Sequence, residues 1–116
     1  MTKVIDLLKL LKINLIDEEK DAVLTRKLCA KIIHEFLQKS MREPDEIGIE
    51  KAYFIRDLFD CRVCANHIAQ VYLKGIMDVF DIGGDLRLFM PEKEVDEGEL
   101  EMIVKRTLDL ESREKR

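Results

Sequence analysis

Nowhere does the sequence approach the roughly 18–20 consecutive apolar residues that a membrane-spanning helix needs, which argues against insertion into a bilayer. Basic runs are missing too. The 20 Lys and Arg residues are interspersed with 24 Asp and Glu, the net charge is −4, and no stretch could neutralise several phosphates in a row, so nucleic acid is not expected as a partner. Cysteine is sparse and odd in number. A secreted domain normally pairs its cysteines, so Cys29, Cys61 and Cys64 read as reduced thiols of a cytosolic protein. The apolar start is broken by Asp6 and Lys9 and offers no small-residue cleavage site; with Met1 as the natural start, the expected compartment is the cytoplasm. Gly83-Gly84-Asp85 lacks both the Gly-rich phosphate signature and the ordered carboxylates of a calcium loop, and reads as a tight turn.

What the chain does have is the balance of a folded domain. Apolar residues make up 47% and charged residues 38% of 116 positions, enough for one domain that buries roughly two thirds of its unfolded surface without needing disulfides or metal. The apolar run Val4, Ile5, Leu7, Leu8, Leu10 and Leu11 predicts a short buried helix that stops near Asn14, a residue tolerant of the left-handed conformation. Thr25 can cap a second helix with Cys29, Ile32, Ile33, Phe36 and Leu37 on one stripe. Residues 41–48, with Pro44 and Gly48 among charges, read as a linker. Helices are then expected over about 49–59 and 63–74, the latter stopping at Gly75. A short extended piece is expected near 86–90, and a last helix begins at Asp96, with Asp96 and Glu99 spaced as a capping box. Residues 111–116 have no apolar anchor and are expected to fray. The fold class predicted is all-α: one domain of about five helices.

The two halves, about 4–40 and 49–110, follow one order: a helix ended by Asn or Gly with an apolar residue after it, a loop, then a capped amphipathic helix. Asn14-Leu15 leading to Thr25 corresponds to Gly75-Ile76 leading to Asp96. The first half carries Leu24-Thr25-Arg26-Lys27-Leu28-Cys29-Ala30-Lys31-Ile32-Ile33. The second carries Leu58-Phe59-Asp60, Lys74-Gly75-Ile76-Met77, Phe89-Met90-Pro91 and Val95-Asp96-Glu97-Gly98-Glu99-Leu100. In this order the landmarks resemble the S-layer homology family, whose motif runs from F-x-D through a helix ending in Gly-Ile to F-x-P and an ITRAE-like helix start. The resemblance covers most of the chain, at low identity and with about two motif copies. It implies a helical module that binds acidic cell-wall glycans through the Arg of the ITRAE motif, matched here by Arg26, with Thr25 and Asp60 as further candidate ligand-binding residues. Glu97 stands at the Arg position of the second copy, Leu28 at the Glu position of the first, and the chain has no tryptophan. Together with the thiols and the start of the chain, these departures lead to the expectation of an intracellular, non-catalytic module that binds a protein partner or itself. The alternative is a cell-wall anchoring fragment of a secreted protein holding an anionic glycan.

Cys61, Cys64 and His67 sit at i, i+3 and i+6 and on a helix span about 120° of one face, so they are candidate metal ligands. A fourth ligand is missing locally, and core packing of the thiols is the default. Cys61-Arg62-Val63-Cys64 is also a CxxC, although no strand–helix context of a redox protein precedes it. His34 and His67 read as boundary histidines. No cofactor is expected.

Overall fold

The computed structural model of the chain describes residues 1–14 and 18–116. Helix α1 (Val4–Leu11) buries Val4, Leu7, Leu8 and Leu11, the i, i+3, i+4, i+7 set of one helix face. The Asp6 carboxylate accepts from the Lys3 amide at 2.8 Å and closes the front of the helix. The helix ends two residues earlier than Asn14: Lys12 takes the left-handed conformation (φ 57°). Its amide donates to Lys9 O at 3.2 Å, and the Ile13 amide donates to Leu8 O at 3.1 Å. This pattern folds an apolar residue back over the helix end, so the position of Ile13 decides where the helix stops, not the preference of Asn14.

Helix α2 (Arg26–Lys39) and helix α3 (Arg62–Leu73) form the centre of the molecule, with Cys29, Ile33 and Leu37 of α2 and Ile68, Ala69 and Val71 of α3 buried. Helix α3 closes as α1 does. Gly75 is left-handed (φ 75°), its amide donates to Tyr72 O at 2.9 Å, and the Ile76 amide donates to Val71 O at 3.0 Å. The equivalent pairs are therefore Lys12-Ile13 and Gly75-Ile76; Leu15, half of the pair expected from the sequence, lies outside the described residues. Gly75 is required twice over, since a Cβ there would lie 2.0 Å from the Glu114 carbonyl oxygen.

The helix expected over 49–59 is replaced by two 3₁₀ turns, Ile49–Ala52 and Leu58–Asp60. The buried residues Ala52, Ile55 and Leu58 recur every third position, which suits a three-residue turn as well as two turns of α-helix. Tertiary bonds decide between them: the Arg56 amide donates to Arg87 O at 2.9 Å, and the Asp57 carboxylate is turned toward the chain at Phe89. After α3 come strands β1 (Phe80–Asp81) and β2 (Arg87–Leu88), an antiparallel hairpin pairing Phe80 with Leu88 and Asp81 with Arg87. The turn expected at 83–85 and the extended piece expected near 86–90 are both found here. Helix α4 (Glu97–Leu108) follows its Asp96 cap. Among the described residues the molecule is thus mostly helical, four helices plus a two-strand hairpin, rather than all-α with five.

The tail does not fray. A 3₁₀ turn (Leu110–Ser112) leads to Arg113, which grips Glu43 with two hydrogen bonds of 2.8 and 2.9 Å, and Arg116 reaches Asp78 at 2.7 Å. Charge anchors it where apolar residues are lacking. The 41–48 linker is tied down in the same way: buried Lys74 donates to Pro44 O at 2.7 Å and pairs with Glu43 at 2.8 Å and Glu46 at 3.3 Å.

Candidate functional site

Thr25 and Arg26 lie where the two halves of the chain are joined. The first turn of a helix leaves backbone N–H groups unpaired, and an anion site needs them free. At α2 they are used by the protein itself. Arg26 N donates to Lys93 O at 2.8 Å, Lys27 N to Pro91 O at 2.9 Å, and Leu28 N to the Thr25 hydroxyl at 3.4 Å. In return the Val95 amide donates to Leu24 O at 2.9 Å, so the starts of α2 and α4 are laced together. The Arg26 side chain is 1% exposed. Its guanidinium lies over the rings of Phe89 (4.4 Å) and Phe80 (4.7 Å), donates to Phe89 O at 2.8 Å, and bonds also to Asp78 O and the Glu99 carboxylate. Burial lowers its pKa to about 10 against the neighbouring Cys29, Asp78 and Asp57, and it remains a cation at neutral pH. Glu99 therefore pairs with Arg26 and does not return to the Asp96 amide as a full capping box requires; Asp96 still caps α4, accepting from Glu99 N at 2.8 Å.

Asp60 is exposed at the end of its 3₁₀ turn. Asp57, three residues earlier, is buried, and its carboxylate accepts from Phe89 N at 2.7 Å and Met90 N at 2.9 Å. Ile55-Arg56-Asp57 also has the apolar-x-Asp form; Ile55 and Leu58 are equally buried, and the difference lies in the burial of Asp57 against the exposure of Asp60.

Cys61 and Cys64 are joined as a disulfide, not present as reduced thiols. Cys61 is the N-cap of α3 and Cys64 follows three residues on, which sets their Cα atoms 5.2 Å apart, inside the bridging range. An odd count leaves one cysteine over, and that one is Cys29, wholly buried, its thiol pushed up by burial to about 12. With both sulfurs bonded to each other, Cys61, Cys64 and His67 offer a metal no thiolate, and among the described residues no group of three or more His, Cys, Asp or Glu side chains is arranged to hold one.

His67 belongs to a different arrangement, one that the sequence does not disclose. His34, 2% exposed, bonds through Nε2 to Asp45 Oδ1 at 2.7 Å and through Nδ1 to His67 Nδ1 at 2.8 Å. Burial pushes the Asp45 pKa up, but hydrogen bonds from His34 and Gln38 outweigh it and hold the carboxyl below its ordinary value. An ionised Asp45 makes Nε2 of a neutral His34 the donor and Nδ1 the acceptor; His67 must then donate from Nδ1, leaving its Nε2 as the basic nitrogen. Burial lowers the His67 pKa and favours that neutral form. His67 and Cys64 line one wall of a groove of about 530 Å³ whose other wall carries Val23 and Leu28 at the start of α2.

Large apolar side chains are exposed, Val63 of the groove lining among them. Val63 is 85% exposed, Phe59 53% and Tyr53 52%, and the last two stack edge to face with centroids 5.2 Å apart. Among the described residues no helix is long and apolar enough to cross a membrane. These features define a small, mostly helical domain whose halves are pinned through Arg26 and whose α3 start lies open. Compared with family models, with curated proteins and with solved structures, the chain matches none.

Proposed function

We propose that the chain is a protein-binding module, built from two S-layer-homology-like helix–loop–helix repeats. The repeat is supported by two equivalent helix closures, Lys12-Ile13 and Gly75-Ile76, and two equivalent side-chain caps, Thr25 and Asp96. The observation that carries the binding role is the exposed face of Tyr53, Phe59 and Val63. Aromatic residues held rigid by stacking lose little freedom on docking and are the usual anchors of protein interfaces. An anionic glycan is the weaker alternative, because Arg26, the residue it would require, is buried and already donates to three acceptors of its own chain.

The test is crosslinking in the native cell followed by pull-down, with sedimentation of the purified chain alongside. The expected result is one specific partner or a dimer, with capture reduced at least about tenfold by Phe59→Ser combined with Val63→Ser, a loss of two anchor side chains. Both substitutions are at exposed positions and should leave the melting temperature nearly unchanged. A bare monomer that captures nothing overturns the proposal.

A further inference from the structure

Beyond a binding role, and independently of it, we propose that Cys61 and Cys64 form a redox-active couple that exchanges with thiols reaching the groove between α2 and α3. Both residues are partly exposed, whereas Cys29 is sealed in the core. Their sequence separation is only 3, so the bond closes one of the shortest loops available and removes little entropy from the unfolded chain. A structural staple would join distant segments; this one joins the cap of a helix to its own first turn.

The reduced state has a ready place for a thiolate. In the disulfide, the Cys61 side chain gives α3 no cap bond, and among the described residues the amides of Arg62 and Val63 have no acceptor. Once reduced, Cys61 Sγ occupies the N-cap position of a 12-residue helix as an anion, where the free amides and the helix dipole stabilise it. Stabilising the reduced form makes the disulfide a better oxidant. The second element is His67, one turn beyond Cys64 on the same groove wall, with Nε2 left as a base by the Asp45–His34–His67 chain. The charged groups facing the groove are Lys27 and Lys31 from α2 and Glu19 from the preceding turn, and the two lysines favour a thiolate there.

The exchange balances as follows. One thiolate of an incoming dithiol attacks Cys64 Sγ, the sulfur that lines the groove; a substrate–Cys64 bond forms, the Cys61–Cys64 bond breaks, and Cys61 leaves as the thiolate stabilised at the helix start. The second thiolate of the substrate then attacks its own sulfur in the mixed disulfide, closing a substrate disulfide and releasing Cys64 as a thiolate that takes up a proton through His67. Two electrons pass from the substrate dithiol to the Cys61–Cys64 pair.

The test equilibrates the full chain with mixtures of reduced and oxidised glutathione, quenches by alkylation, and reads the state of Cys61 and Cys64 by peptide mass. The expected result is a two-electron transition within the glutathione series. In the Cys64→Ser variant, the Cys61 thiolate absorbance should titrate at least one pH unit below the roughly 8.5 of a free thiol. Replacing His67 with Gln should slow exchange at neutral pH about tenfold without moving the midpoint, since a proton carrier changes rate and not equilibrium. A pair that stays oxidised throughout is a structural staple, and one that stays reduced throughout is not a couple; either result overturns the proposal. So does an ordinary Cys61 titration. The glutathione measurement on the unaltered chain stands even if a variant fails to fold.

Discussion

The starts of α2 and α3 meet the same physical problem and resolve it in opposite ways. Each must do something with the backbone donors of its first turn. At α2 the Thr25 hydroxyl takes one amide, the carbonyls of Pro91 and Lys93 take two more, and Arg26 is sealed beneath the hairpin between two aromatic rings. At α3 the cap residue is a half of a disulfide, no side chain caps it, and Val63 stands in the open. A helix start whose donors are consumed by its own chain is a joint; one whose donors remain free beside exposed sulfur and apolar side chains is a place where something else can act. Arg26, a ligand-binding candidate on the sequence alone, stands at the joint and not at the open start, so fitting a sequence pattern does not by itself assign a residue to a site.

The largest expected effect comes from breaking the joint. Arg26→Ala strands Glu99 and leaves the carbonyls of Phe89 and Asp78 without their donor, and removal of one member of a buried ion pair costs about 3–5 kcal/mol. Urea denaturation should show that loss, and hydrogen exchange should place the loosening at residues 89–99 and not at α3. Were Arg26→Ala neutral, the halves would not be held together at this point, and the contrast between the two helix starts would lose its basis.

Parts of this were legible in the sequence for identifiable reasons. Helices α2, α3 and α4 repeat their apolar residues often enough to fix a 3.6-residue period, and Thr25 and Asp96 are side-chain caps acting within three residues. The 3₁₀ turns were not distinguishable, because Ala52, Ile55 and Leu58 fit either period over so short a span. The order of the tail is not legible locally because its anchors are long-range: Arg113 and Glu43 are 70 residues apart, and nothing local announces the pair. The histidine chain was hidden for the same reason, with 33 residues between His34 and His67. Asp57 escapes a local reading because its partners, Phe89 and Met90, lie 32 and 33 residues away. An odd cysteine count conceals the disulfide, since it says that one thiol stays unpaired and not that all three do.

Those long-range charges give the tail a pH dependence that the α3 start should not share. Burial pushes the pKa of Glu43 up, but hydrogen bonds from Arg113 and Lys74, and their charges, hold it below its ordinary value. Burial likewise opposes the lowering of Asp78, which bonds and charges of Arg116 and Arg106 bring about. A carboxylate with a depressed folded pKa contributes stability that is complete above its unfolded value and is lost as pH falls through the folded one. The urea midpoint should therefore hold steady down to about pH 5 and fall below it, with protection of residues 111–116 lost first. The drop should be smaller than that of Arg26→Ala, since Asp78 is nearly half exposed and screened by solvent. Flat stability to pH 3 would mean that the tail is not held by these ion pairs.

The smallest effect is the one that discriminates most. Replacing Cys61 and Cys64 together by serine removes a cross-link of sequence separation 3, worth about 2 kcal/mol at most in the chain-entropy account. It also places at the N-cap a hydroxyl that can accept from the first turn, which returns about 1 kcal/mol. The net loss should be near 1 kcal/mol, measured by urea denaturation against the oxidised chain. The reduced, unsubstituted protein should lie close to the serine variant, because a Cys61 thiolate can occupy the same acceptor position. A loss of 3 kcal/mol or more would make the disulfide part of the scaffold, and α3 would then be braced at its start as firmly as α2. A loss near 1 kcal/mol leaves the bond thermodynamically light in a place that is otherwise uncapped and exposed, as a couple that must open and close requires.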